Sequence, residues 1–179
     1  MIHPALSCMY ICTLFNPDLS VSSQLRLVQK CLQDVVGPSP RVLLESFTNW
    51  AELISYDRVF VMKPESVEEI QRAVYAAHAC RRQVRAVGSS HSSSPLFGDR
   101  GHIHLNLSNL ALENGKRVIL QPLNPDRPVA VVKVAPSVTQ AELDRELEVM
   151  GYAFPFGPLV SDVTVAGSIA TSSHVRHIA

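Results

Sequence analysis

Residues 58 to 92 constrain the fold more than any other part of the chain. Arg58-Val59-Phe60-Val61-Met62 is a short β-branched and apolar run that ends at Lys63-Pro64, so it reads as a strand with a stop. Ser66 followed three residues later by Glu69 has the spacing of a capping box, in which serine and glutamate satisfy orphan helix N–H groups reciprocally. A helix should start there, with Val67, Ile70, Val74 and Ala77 on one face and Arg81-Arg82 near the C-terminal end, where the macrodipole favours positive charge. Gln83 to Val87 is apolar enough for a second strand, which completes a β-α-β unit. That strand runs into Gly88-Ser89-Ser90-His91-Ser92, a turn of tiny residues with one imidazole at its tip. Small side chains leave backbone N–H groups open to a bulky ligand, and the imidazole offers either a nucleophile or a hydrogen-bonding group.

The flanking segments extend the pattern. Leu25, Val28, Leu32 and Val35 recur at helical spacing over Ser22 to Val36, with Gly37 as a stop. His102 to Leu107, Val118 to Leu120 and Val129 to Val134 read as strands, the last two joined by the turn-forming Asn124-Pro125-Asp126. Thr139 with Glu142 forms a second capping box, opening a helix with Leu143, Leu147 and Met150 inward and Gly151 as its stop. The chain turns irregular through Phe154 to Pro158. A second small-residue tract then runs from Ser161 to His174. There is no internal repeat. The reading is an α+β fold on which two tracts of Gly, Ala, Ser and Thr approach a large ligand.

Sixteen basic residues balance sixteen acidic ones, and no Lys/Arg run creates a local patch, which argues against a nucleic-acid partner. The four cysteines, Cys8, Cys12, Cys31 and Cys80, lack paired metal-site spacing and scaffold density, so they read as reduced and mostly buried thiols. The apolar run from Ala5 to Phe15 is too short to span a bilayer and has no basic residue ahead of it.

Other chemistries fit these residues less well. His102 with His104, or His174 with His177, could begin a metal site, but no acidic or cysteine cluster completes one, so the expectation is no metal. Ser92 or Ser173 beside a histidine invites hydrolysis, yet neither lies in a Gly-x-Ser-x-Gly elbow. Ser92-Ser93-Ser94-Pro95 alone could be a flexible linker.

Four motifs occur together in order: Asn49-Trp50; Pro64-x-Ser66-Val67-Glu68-Glu69-Ile70; Val84 to Ser92; and Gly157-Pro158 with Thr164-Val165-Ala166-Gly167-Ser168-Ile169-Ala170-Thr171-x-x-His174. Together they resemble the FAD-binding domain of the vanillyl-alcohol oxidase superfamily, and within it the sugar-1,4-lactone oxidases. The resemblance runs from about Phe47 to His174, and it implies residues 1–46 as an N-terminal extension with one helix and residues 47–179 as an incomplete FAD-binding domain. It implies the first part of the two-subdomain FAD-binding fold of that superfamily, with FAD as cofactor. It also implies that Gly88, Ser89, Ser90 and Ser92 lie on the pyrophosphate, with His91 on the isoalloxazine, joined to it covalently as in the lactone oxidases after attack as the neutral imidazole. Along the cofactor chain it puts Ser161, Thr164, Gly167, Thr171, Ser173 and His174.

Two residues depart from the family pattern: Ser90 and Ser172 stand where it has glycines. If either backbone needs positive φ, serine adds strain on the order of 1 kcal/mol. The remaining strands of the domain and the substrate cap of the family do not follow within this sequence, so no catalytic base is expected in it. The implied reaction is oxidation of a sugar-1,4-lactone, with electrons passing to dioxygen or another acceptor. A non-catalytic fragment or isoform, and an alditol oxidase of the same superfamily, are the alternatives. The resemblance is also compatible with membrane-associated organellar enzymes.

Overall fold

The computed structural model describes residues 20–99, 101–124, 127–173 and 175–177. Contacts divide the chain into two compact units, the first ending at Val87 and resuming over Ser92–Asn106, the second made of Gly88–His91 and Leu107 onward.

The first unit opens with helix α1 (Val21–Val36), capped by Ser20, whose side chain accepts from the N–H of Ser23, and ended by Gly37 at φ +84°. Its inward stripe is Val28, Cys31, Leu32 and Val36. Gln29 and Gln33, one turn apart on α1, hold both main-chain groups of Val42, by Gln29 Nε2 to Val42 O (2.8 Å) and Val42 N to Gln33 Oε1 (2.7 Å). That clamp leads into strand β1 (Leu43–Thr48), which sequence periodicity misses because Glu45 and Ser46 break both the apolar run and any strict alternation. Strand β2 (Ser55–Met62) pairs antiparallel with β1. Val59 to Met62 are all buried, the signature of a strand covered on both faces.

Helix α2 (Val67–Ala79) starts at the expected cap, since Ser66 Oγ accepts from Glu69 N at 3.2 Å. The reciprocal half differs: Glu69 Oε2 takes the N–H of Glu65 at 2.8 Å, one residue before the cap. A hydrogen bond from the distant Ser39 side chain, followed by the one from Glu65 N–H, holds the Glu69 carboxyl below its usual range. The buried face is also rotated from the expected one. It is Ala73, Ala76 and Ala77, while Val67 and Val74 are exposed, because small side chains let the helix sit close against its neighbours.

Strand β3 (Val84–Val87) follows α2, but β4 (Ile103–Asn106) lies between β2 and β3, giving the order β1-β2-β4-β3 with parallel pairing on both sides of β4. Ile103, His104 and Leu105 of this central strand are all buried. His104 is a satisfied core histidine whose Nε2 donates to the carbonyl of Phe97 at 2.9 Å, and burial holds its pKa below the usual histidine value.

One expectation for the cysteines is corrected here. Cys31 of α1 and Cys80 at the end of α2 form a disulfide, with Cα atoms 6.5 Å apart. Forty-nine residues separate them, so no local motif could announce a pair that only the packing of α1 on α2 creates. Cys8 and Cys12 lie outside the described residues. No helix among the described residues is long and apolar enough to cross a membrane.

The second unit contains the antiparallel hairpin β5 (Val118–Asn124) and β6 (Arg127–Val134); the expected turn residues Pro125 and Asp126 lie outside the described residues. Helix α3 (Gln140–Val149) has the full capping box, Thr139 N to Glu142 Oε2 at 2.9 Å and Glu142 N to Thr139 Oγ1 at 3.2 Å. Leu143 and Leu147 point inward as expected and join Ala135 and Val138 in the core of this unit, whereas Met150, past the last helical turn, is 38% exposed. The segment expected to be irregular contributes strand β7 (Phe156–Pro158), paired with β8 (Val175–His177). Helix α4 (Val165–Ala170) lies between them in sequence.

Candidate functional site

The second unit brings the two small-residue tracts together at Thr164. This residue is 6% exposed and caps α4, its hydroxyl accepting from Gly167 N at 3.2 Å. Its own N–H donates to Ser89 Oγ at 3.2 Å, a hydrogen bond spanning 75 residues of sequence. The main chain at Val163 to Val165 is pinned in turn by Gln140 N to Val163 O (3.0 Å) and Val165 N to Val138 O (2.9 Å), so the start of α3 fixes the start of α4.

Close backbone approach explains both glycines. A Cβ on Gly88 would overlap the Thr164 hydroxyl, and one on Gly167 would come within 2.7 Å of the same oxygen. Thr164 Oγ1 therefore sits between two backbones that only glycine permits. The N–H groups of Ser89 and Ser90 belong to the turn of small residues that follows Gly88, a kind of main chain suited to presenting donors to an anion. Ser168 Oγ on α4 is shut off from solvent and has no hydrogen-bond partner, the condition of a polar atom that a bound group can satisfy. The orphaned Ser168 hydroxyl is the observation in this set that an anionic chain carrying hydroxyls and phosphates fits.

Ser90 lies at φ +59° and Ser172 at φ +50°, so the strain condition set for these two positions is met at both. Thr171 caps the end of α4, with Oγ1 donating to Gly167 O at 2.9 Å and lying 3.1 Å from Ser173 Oγ. Ser173 N donates to Ser168 O at 2.9 Å. Ser161 is exposed and its carbonyl accepts from Ala141 N at the start of α3 (3.0 Å). His91 is half-buried within the second unit. Ser92 belongs to the first unit, where its carbonyl accepts from Asn49. His174 lies outside the described residues.

Sequence reasoning did not single out Ser168, although it lies inside the quoted tract. Only the burial of its hydroxyl without a partner distinguishes it from the serines and threonines around it.

Comparison with known proteins agrees with this geometry. Residues 59–178 match the model of the FAD binding domain family. The chain is 33% identical over 129 residues to the D-arabinono-1,4-lactone oxidase of Eremothecium gossypii, covering 72% of this chain and 23% of that protein. It is 29% identical over 125 residues to a putative D-arabinono-1,4-lactone oxidase of Neurospora crassa, covering 70% and 21%. It is 27% identical over 129 residues to the L-gulonolactone oxidase of Scyliorhinus torazame, covering 72% and 27%. The chain thus aligns with about a quarter of the length of these relatives. Among solved structures, cholesterol oxidase of Brevibacterium sterolicum superposes with a TM-score of 0.63 at 17% identity, covering 77% of this chain and 25% of that one, a likeness of fold. The match spans well over half of the 179 residues, and the chain belongs to the FAD binding domain family, with FAD as its cofactor.

Proposed function

We propose that this chain is the cofactor-binding part of a flavin-dependent oxidoreductase that oxidises a sugar-1,4-lactone, passing electrons to dioxygen or another acceptor. The observation that carries the reading is the meeting of the Gly88–His91 loop and the Thr164–Ser173 tract at the Thr164 hydroxyl. The lactone substrate is inferred from the names of the relatives. Bound FAD supplies a two-electron acceptor for a C–H bond beside a hydroxyl. The residues of this chain bind and orient it: Gly88, Ser89 and Ser90 through main-chain N–H groups, and Thr171, Ser173 and Ser168 through hydroxyls of the second tract. Ser92, Ser161 and His174 complete the proposed set. His91, at the tip of the loop, is the proposed covalent tether, and no residue here is assigned as catalytic base. Residues 47–179 are the proposed extent of the domain, with residues 1–46 as an extension.

The test is direct. The purified chain, incubated with FAD and freed of excess, should be yellow, and flavin fluorescence should survive acid precipitation. His91→Ala should release all flavin on denaturation while still binding FAD reversibly. Flavin that stays with denatured His91→Ala protein would exclude the tether, and a chain that takes up no FAD would exclude the reading as a whole.

A further inference from the structure

The Asn49-Trp50 motif has been given no role in the site so far, yet Asn49 is 2% exposed and both ends of its side-chain amide are hydrogen-bonded. Its Oδ1 accepts from Ile54 N at 2.8 Å, which, with Asn49 N to Ile54 O at 2.9 Å, closes the turn between β1 and β2. Its Nδ2 does something unrelated to that turn. It donates to the carbonyl of Ser92 at 3.0 Å, across 43 residues.

Ser92 is where the chain re-enters the first unit after the loop Gly88–His91. The other foot of that loop is Val87, held by the β3–β4 ladder opposite Asn106. Beyond Ser92 the segment stays tethered: the Tyr56 hydroxyl donates to Gly98 O and His104 Nε2 to Phe97 O. Phe47 packs on Phe97 (centroids 4.8 Å apart) and meets the His104 ring edge-on (4.7 Å, 85°). Three side chains of the first unit thus hold three main-chain carbonyls of one segment, and Asn49 takes the one adjoining His91. The loop includes Ser90 at φ +59°, and a non-glycine residue keeps such a conformation only where its surroundings over-determine it. A chain fixed at both feet meets that condition; one free at Ser92 does not.

We propose that Asn49 is a positioning residue for the cofactor loop, its Nδ2–H to the Ser92 carbonyl fixing the foot from which His91 projects. The proposal rests on the reading that this loop holds FAD. Aspartate is the discriminating substitution, because Asn49→Asp keeps an oxygen for Ile54 N–H and replaces the donor to Ser92 with a second, ionisable oxygen. Val59→Ala, in the core of the same sheet, serves as a control for lost stability alone, and Gly88→Val as a control for the loop.

All are made in the full 179-residue chain and compared by FAD titration, visible circular dichroism of the bound flavin and thermal unfolding. Asn49→Asp should weaken FAD binding by about tenfold or more and alter the flavin dichroism, since a buried carbonyl loses its donor and faces an oxygen. Val59→Ala should lower the unfolding midpoint at least as far, with wild-type affinity and spectrum. Gly88→Val should lose FAD. Wild-type affinity and dichroism in Asn49→Asp, beside a Gly88→Val that loses FAD, would overturn the role of Asn49 alone. FAD binding unchanged in Gly88→Val, or absent from the wild type, would overturn the loop reading and this proposal with it. Should Asn49→Asp not fold, Asn49→Ser carries the same expectation, its hydroxyl being too short to reach Ser92. If neither folds while Val59→Ala does, Asn49 serves the fold alone and the proposal fails.

Discussion

The two units of this chain are stabilised in different ways. The first is built on large apolar side chains: Phe60, Met62 and Ile103 of the sheet and Leu32 of α1 are all essentially inaccessible to solvent. The fully buried cluster of the second is Ala135, Val138, Leu143 and Leu147, and around it Leu123, Val129, Val131 and Ile169 remain exposed. The residues of the candidate site lie mostly in the second unit, held by hydrogen bonds and close backbone approach at Thr164. Packing therefore defines the scaffold where no chemistry is proposed, and polar contacts define the region that meets the cofactor. Ligand-binding segments are commonly drawn from the less stable end of a structure, and this division gives that tendency a physical cause.

The largest expected effect is loss of a large core side chain. Phe60→Ala should cost about 3–5 kcal/mol, and Leu143→Ala should fall toward the lower end of the roughly 2–5 kcal/mol seen for such truncations, since its smaller core can relax. Denaturant unfolding measures both. An equal or greater loss in Leu143→Ala would break the comparison between the units.

Protonation of His104 provides a smaller effect that acts in the first unit. Burial depresses the pKa of His104, so the folded state keeps it neutral to lower pH than the unfolded chain, which titrates near 6.5. Between those two values the unfolded chain binds more protons, so stability rises with pH there and is lost as pH falls below about 6.5. The carboxyls of Glu68, Glu69, Asp99 and Glu142 are held low by hydrogen bonds and neighbouring cations, and their contribution disappears only further into acid. His104→Asn should flatten the upper window and leave the lower one. Persistence of the upper slope in that variant would assign it to another group.

Much of this was legible in the sequence where period and capping act locally. The Ser66 and Thr139 caps mark the starts of α2 and α3, and Gly37 and Gly151, both at positive φ, mark stops. What failed was decided by distant partners. Strand β1 forms because β2 pairs with it and α1 clamps Val42, and the alanine face of α2 is chosen by its neighbours. The Cys31–Cys80 bond has no local sign. In the site, the tract of small residues was visible, but the central place of Thr164 between Gly88 and Gly167, and the orphaned Ser168 hydroxyl, appear only once segments 75 positions apart in sequence have come together.

Thr164→Val sharpens the comparison from the other side. It preserves shape and removes the cap hydroxyl of α4, for a loss of about 1 kcal/mol. Amide exchange should quicken over Val165–Ala170 and stay unchanged across β2 and β4. Faster exchange in both strands as well would mean that the two units do not unfold separately.

The smallest effects distinguish strain that serves the site from strain that does not. Glu52 in the first unit and Ser90 in the second both sit in left-handed backbone, at φ 58° and 59°. Glycine relieves the Cβ clash at either position but gives the unfolded chain more freedom, so Glu52→Gly and Ser90→Gly should each raise stability by no more than about 0.5 kcal/mol. Their effects on FAD should diverge. Ser90 lies in the loop proposed to hold the pyrophosphate, and a less strained loop reaches its bound shape at lower cost, so Ser90→Gly should tighten binding measurably while Glu52→Gly leaves it unchanged. Ser172→Gly, at φ 50°, should follow Ser90→Gly. Equal affinity across all three variants would mean that backbone strain in the small-residue tracts plays no part in holding the cofactor.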